Sequence, residues 1–304
     1  MGKLNNIIII FGPTAVGKTD VSIKLAKKLN GEIISADSMQ VYKGMDIGTA
    51  KPAKDEMKGI PHHLIDIRDP NEAWSVSDFI SGCKKLTQEI IERGKLPIIV
   101  GGTGFYLNAL IEGFSFPELK ANKEIRERLS DEAKDQGSLH LHEKLKKIDP
   151  KTAERLHHND TKRMIRALEI YELTGKPMSE LESKGDTLPY EVTLIGLNMD
   201  RKELYKKIED RVDKMLEAGL IEEVKGLLDK GYDKHLTSME ALGYKETIDH
   251  IRGKYDQKAY VELLKKNTRN FAKRQLTWFR RFKNAAWFDV NKDFSIDKIL
   301  KSVS

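Results

Sequence analysis

Ile7-Ile8-Ile9-Ile10-Phe11 runs directly into Gly12-Pro13-Thr14-Ala15-Val16-Gly17-Lys18-Thr19. The apolar run reads as a strand buried on both faces. The glycine segment fits G-x-x-x-x-G-K-[ST], and Thr19–Leu29 repeats apolar residues at helical spacing through Val21, Leu25, Ala26 and Leu29. Strand, glycine loop and helix in that order are the context the motif needs. Amide groups turn inward, the helix N-terminus adds its positive end, and Lys18 brings a full charge to a terminal phosphate. The Thr19 hydroxyl is suited to Mg²⁺. A Gly-rich turn without a ligand is the bland alternative; the flanking elements favour a site for a di- or triphosphate over residues 12–19.

Outward from this loop the pattern alternates. Gly31 is read as closing the first helix, Glu32–Ala36 as a second strand, and Ser77 or Asp78 as capping a helix that runs to Arg93 and stops at Gly94. Leu96–Val100 is a third buried strand leading into Gly101-Gly102-Thr103-Gly104. Apolar strands joined through helices imply a parallel sheet covered on both faces, with ligands beyond the strands' carboxyl ends. The expected fold is therefore α/β, a P-loop-type parallel sheet. Its pocket is expected where Gly12–Thr19, Asp37 and Gly101–Gly104 converge. After Pro117 the chain becomes charged and helical without a convincing strand, most clearly over Lys123–Gln136 and Thr161–Leu173; Val192–Leu197 restores strand character. This divides the chain into a core at 1–118, an all-helical insertion at 119–189 and a completion of the core at 190–304. Long helices are expected around Lys202–Gly219 and Tyr260–Lys283, and a short strand at Ala286–Val290.

Composition bounds the partners. The 304 residues are 39% hydrophobic and 33% charged, and 53 Lys and Arg against 47 Asp and Glu leave a net charge of +6. A buried core under a charged exterior excludes wholesale disorder, and no apolar run approaches the ~20 residues a bilayer needs. Met1–Asn6 is too short for a leader's charged region, and Asn6 breaks the myristoylation pattern at Gly2. One cysteine, Cys83, excludes an internal disulfide framework and fits a reduced compartment; the cytoplasm, without membrane attachment, is the expectation. Lys265–Lys283 holds eight cations and no acid, with Leu264, Phe271, Trp278 and Phe282 read as its packing set. His62-His63 and His157-His158 lack zinc-ligand spacing, so structural roles are expected.

Asp37 follows the second strand, facing the anion site. Like charge excludes it as a phosphate ligand, which leaves a metal ligand, a general base, or an Asx turn that ends the strand. A nucleotide hydrolase would carry an Asp after the buried strand that here ends in Gly-Gly-Thr-Gly, and Ile65-Asp66 is a poor substitute. Small-molecule kinases and a non-enzymatic nucleic-acid binder stay open on the residues alone.

The chain resembles the bacterial tRNA dimethylallyltransferases, also called tRNA isopentenyltransferases. The resemblance is carried by Gly12–Thr19, Asp37-Ser38-Met39-Gln40-Val41-Tyr42, Ile47–Pro52, His62–Asp66, Gly101–Tyr106, Asn159-Asp160, Arg163–Glu169, Gly219–Val224, Leu242–Lys245 and Lys273–Trp278, in order along nearly the whole chain. Glu240 stands where relatives often have a neutral or basic residue. The resemblance implies transfer of a dimethylallyl group from dimethylallyl diphosphate to N6 of the adenosine just 3′ of the anticodon, with diphosphate in the cradle and no NTP consumed. It makes Asp37 the base, places Thr103 at the reaction channel with Lys18 and Thr19, and implies tRNA contacts from Asp37, Ser38, Met39, Gln40, Thr103, Arg126, Lys162, Arg163, Met164, Ile165 and Arg166. The partners implied are the anticodon stem-loop of tRNA and dimethylallyl diphosphate, with Mg²⁺ as cofactor and a monomeric chain.

Overall fold

The computed structural model describes residues 6–115, 119, 121–181, 183–184, 188–290 and 294–303. Residues 1–5, read above for leader signals, and Pro117 lie outside them. In chain order the elements are β1 (Asn6–Phe11), α1 (Lys18–Leu29), β2 (Gly31–Ser35), β3 (His62–His63), α2 (Val76–Glu92), β4 (Leu96–Gly101) and α3 (Gly104–Glu112). There follow β5 (Phe114–Ser115), α4 (Lys123–Gln136), α5 (Ser138–Ile148), α6 (Pro150–Arg155), α7 (Thr161–Thr174), α8 (Met178–Leu181) and β6 (Ser183–Lys184). The last set is β7 (Glu191–Asn198), α9 (Arg201–Glu217), α10 (Leu220–Asp229), α11 (Tyr244–Ile251), α12 (Gln257–Phe279), β8 (Ala286–Asp289) and α13 (Ile296–Val303).

Two compact units result, residues 1–110 with 188–304, and residues 111–187. In the first, six parallel strands are ordered β3-β2-β4-β1-β7-β8. The apolar runs explain the two-sided cover. Ile8, Ile10, Ile33 and Ile98 pack with Val21, Leu25, Leu204, Ile208 and Ile299 on one face. Ile7, Ile9 and Phe11 alternate with them, are equally buried, and point the other way. Phe11 meets the rings of Phe279, Phe282 and Trp287 at centroid distances of 5.0, 5.0 and 5.4 Å. A further core gathers Val41, Tyr42 and Met45 with residues of α9, α10, α11 and α12.

Register brings the loops together. Phe11 lies opposite Gly101 and Ser35 opposite Val100, so the three strands finish level. The chain runs from β1 to β2 on one side and from β4 to β7 on the other, which makes the β1–β4 boundary the switch point where such sheets bind ligands. Gly101 is required there: a Cβ would lie 2.1 Å from the Ala36 carbonyl oxygen.

Local chemistry shifts several boundaries. Asn30, not Gly31, caps α1 in the left-handed conformation, and Gly31 opens β2. α2 starts earlier than expected, because Ser75 is the N-cap and Asp78 closes a capping box from the N3 position. On α12 the buried face is Tyr260, Leu264, Thr268, Ala272, Gln275 and Phe279; Phe271 and Trp278 are half-exposed, with Arg274 and Arg281 over their rings.

The second unit packs α4, α5, α6 and α7 around Leu129, Leu141, Leu145, Ala153, Met164, Ala167 and Leu168. It is not wholly helical, since β5 and β6 pair antiparallel over two residues each. So short a ladder has no periodicity for a sequence to display.

Candidate active site and nucleic-acid surface

The glycine loop curls through left-handed backbone at Ala15 and Gly17, with φ of 65° and 98°. Buried Val16 anchors its crest in the core below. Lys18 folds back over the loop and donates to the carbonyls of Gly12 at 2.8 Å and Pro13 at 2.9 Å. Burial lowers its ammonium to about 7, the nearby Arg211 charge adds to that, and Asp37 opposes it. Arg211, from α9, reaches the Thr14 hydroxyl at 3.4 Å. Thr19 is exposed at the first turn of α1, beside a small cavity of about 30 Å³ that Ser35, Gln40, Pro52 and Val100 also line.

Of the local readings of Asp37, the Asx turn is the one its hydrogen bonds display. Its Oδ1 accepts from the Met39 amide at 2.8 Å and the Gln40 amide at 3.3 Å, an Asx turn. Its Oδ2 accepts no hydrogen bond among the described residues. The turn thus pins the carboxylate and leaves one oxygen available. Burial raises its pKa above the ordinary range, and the two amides and Lys18 pull the other way.

Thr103 joins two loops: its Oγ1 accepts from the Ser38 amide at 3.1 Å and donates to the Ser38 hydroxyl at 3.5 Å. Gln40 accepts from the Ser35 hydroxyl and donates to the carbonyls of Thr49 and Ala50. The cradle residues, Asp37–Gln40 and Thr103 are therefore all at one end of the sheet.

Three further residues complete this end without having been assigned a role from sequence. Gln275 accepts from the Thr14 amide and donates to the Gly102 carbonyl. Arg211 supplies the second cation. Glu223 accepts from the amides of Asp46, Ile47 and Gly48 and from the Tyr244 hydroxyl at 2.6 Å, holding the 46–48 loop. Glu223 and Gln275 fall in segments that carried the resemblance, which was their available signal. Arg211 had none.

A metal finds hard oxygen donors only. No cluster of three His, Cys, Asp or Glu able to hold one occurs among the described residues. One hydroxyl, Thr19, with phosphate oxygens and water is the donor set Mg²⁺ prefers over an all-protein cage. His62 and His63 make structural contacts. His63 shares the buried Glu32 carboxylate with Arg93 and Lys95. Burial alone would raise the Glu32 pKa; these partners hold it at about 2. His62 contacts the Ile60 carbonyl.

In the second unit the residues expected to meet RNA divide. Lys162 and Arg163 are exposed on α7, Arg163 paired with Asp160 at 3.0 Å. Arg126 and Arg166 both grip Glu169, which is fully buried and also accepts from the Asn122 amide. Burial would raise the Glu169 pKa, but these three donors hold it below the ordinary range. Met164 is fully buried in the helical core, and Ile165 packs partly against it. Met164 thus packs inside the unit, while Lys162 and Arg163 on the same turn of α7 are exposed.

The family model described as IPP transferase matches residues 40–282. A tRNA dimethylallyltransferase of Carboxydothermus hydrogenoformans is 52% identical over 299 residues, 98% of this chain and 96% of that protein. One from Acetivibrio thermocellus is 49% identical over 99% of this chain and 96% of its own length. The crystal structure of a full-length tRNA isopentenylpyrophosphate transferase from Bacillus halodurans superposes with a TM-score of 0.72 at 48% identity, covering 98% of this chain and 94% of that one. A eukaryotic dimethylallyltransferase captured acting on tRNA gives a TM-score of 0.77 at 33% identity, over 95% of this chain and 74% of that one. With the match spanning sheet, helical unit and α12 alike, the chain belongs to the IPP transferase family.

Proposed function

We propose that this protein is a tRNA dimethylallyltransferase that moves a dimethylallyl group from dimethylallyl diphosphate to N6 of the adenosine 3′-adjacent to the anticodon. The observation that carries the reading is a phosphate cradle and an open carboxylate oxygen at one sheet end. A C–N bond forms at the allylic carbon and its C–O bond breaks, the bonding pair leaving with the diphosphate. The amine proton passes to Asp37 Oδ2. Adenine N6 is a weak nucleophile, and a positioned base contributes roughly 10²–10⁴. Burial suits Asp37 to the task by raising its proton affinity.

The charge that develops on the leaving group is met by Lys18, Arg211 and the amides of residues 15–19. Thr19 would hold Mg²⁺, which supplies further neutralisation of the diphosphate when bound. The absence of an acid after β4, which ends at Gly101, supports a cradle that serves a leaving group over one that hydrolyses a nucleotide. The adenosine must leave its stack to reach a site at the end of the sheet, at a cost of a few kcal/mol. Ser38, Met39, Gln40 and Thr103 line its approach. Arg126, Lys162, Arg163 and Arg166 meet the stem-loop backbone. No helix among the described residues is long and apolar enough to cross a membrane.

The decisive experiment incubates the protein with dimethylallyl diphosphate, Mg²⁺ and unmodified tRNA, then digests the RNA and weighs its adenosines. A five-carbon gain on one adenosine of the anticodon loop is expected. No gain overturns the reading. For the RNA surface, Arg163→Ala should reduce the slope of log affinity against log salt by about one unit, since an exposed pair with Asp160 yields readily to a phosphate. An unchanged slope removes Arg163 from the interface.

A further inference from the structure

We infer that Gln275 is a positioning residue of the transfer reaction, a bridge that sets the diphosphate cradle at a fixed separation from the loops bearing Thr103 and Asp37. The inference rests on the functional reading above. Gln275 lies on the inward face of α12 between Ala272 and Phe279 and is 5% exposed. An apolar side chain would suit such a position, and a buried carboxamide is costly unless both of its ends are satisfied. Both ends are. Oε1 accepts from the Thr14 amide at 2.8 Å, and Nε2 donates to the Gly102 carbonyl at 2.9 Å.

These partners belong to the two loops that leave adjacent strands at the switch point. Beyond Gly102 the linkage continues, since the Thr103 amide donates to the Ala36 carbonyl and the Thr103 hydroxyl accepts from Ser38. One carboxamide therefore ties the loop that grips the leaving group to the loop that carries the base. The fit is close. A Cβ at Gly102 would lie 2.4 Å from Gln275 Nε2 and 3.8 Å from the Lys18 ammonium, so the bridge passes beside the charge centre of the cradle. The amides of residues 15–19 are not among its partners, which leaves the grip on diphosphate intact when the bridge is cut.

The test compares the parent with Gln275→Leu, which keeps the volume and removes both hydrogen bonds, and Gln275→Asn, one methylene too short to span both loops. Three quantities are read: kcat for prenyl transfer, equilibrium affinity for inorganic diphosphate by calorimetry, and folding by circular dichroism. Misplacement of reacting groups by about 1 Å costs on the order of 10²-fold, and a loss of kcat of about that size is expected in both variants, with diphosphate affinity changed far less. A parental kcat in either folded variant overturns the proposal. So does a loss of diphosphate affinity equal to the loss of kcat, which would make Gln275 part of the grip itself. Failure of both variants to fold overturns it too, by making the bridge a folding element. A parent that yields no five-carbon adduct defeats the functional reading, and this inference with it.

Discussion

Asp37→Asn lowers kcat for prenyl transfer by about 10²–10⁴-fold, the contribution of a positioned general base. Its affinity for tRNA is unchanged. Asparagine retains the carbonyl that accepts from the Met39 and Gln40 amides, so the turn after β2 survives. What it lacks is an oxygen able to take the N6 proton. Asp37→Ala removes turn and base together, so it should lose at least as much rate and some stability besides. Single-turnover kinetics at saturating substrates, with melting temperatures for both variants, separate the two roles. An active Asp37→Asn beside an inactive Asp37→Ala would leave Asp37 with the turn alone.

Lys18→Met removes the cation aimed at the leaving group and should cost about 3–4 kcal/mol of transition-state stabilisation, or 10²–10³ in rate. The pH dependence supplies a second, independent signature. In the free protein the ammonium titrates at about 7 because burial, helped by Arg211, disfavours its charge. Diphosphate favours that charge, so binding above pH 7 takes up a proton at Lys18, and affinity weakens as pH rises. Calorimetric titrations at pH 8 in buffers of different ionisation enthalpy should report that uptake in the parent and lose it in Lys18→Met. Equal uptake in both would place the titrating group elsewhere. Linkage fixes the sign for stability as well. A folded-state pKa below the ordinary lysine value of 10.5 penalises the native state in full below about pH 7, and the penalty fades toward pH 10.5. The parent should therefore gain stability relative to Lys18→Met across that window.

Much of the sheet is legible in the chain because its strands are unbroken apolar runs. Ile7–Phe11 and Leu96–Gly101 are buried on both faces, and a glycine-rich segment follows each. The errors are local contests between neighbouring residues. Asn30 took the left-handed cap that Gly31 was expected to fill, and Ser75 outcompeted Ser77 as N-cap because Asp78 could complete its box. On α12 Phe271 and Trp278 share the helical spacing of core residues yet lie half-exposed, and periodicity cannot tell an inward ring from one that carries an arginine. The RNA-facing set shows the same limit. Met164, Arg163 and Arg166 occupy neighbouring positions on α7, and only packing separates the buried methionine from the exposed arginine and from the one held by Glu169.

The order of residues alone established the phosphate loop, the alternation of strand and helix around it, and Asp37 at the end of the second strand. Each depends on groups a few positions apart, where backbone conformation and hydrogen-bond partners are set by close neighbours. Folding settled which distant side chains complete that pocket: Gln275 meets Thr14 across 261 positions, and Arg211 across 197. A carboxamide or guanidinium on a helix carries no mark of its partner. The partner emerges when register brings Phe11 level with Gly101 and the unsatisfied amides and carbonyls of two loops come within reach of one buried side chain.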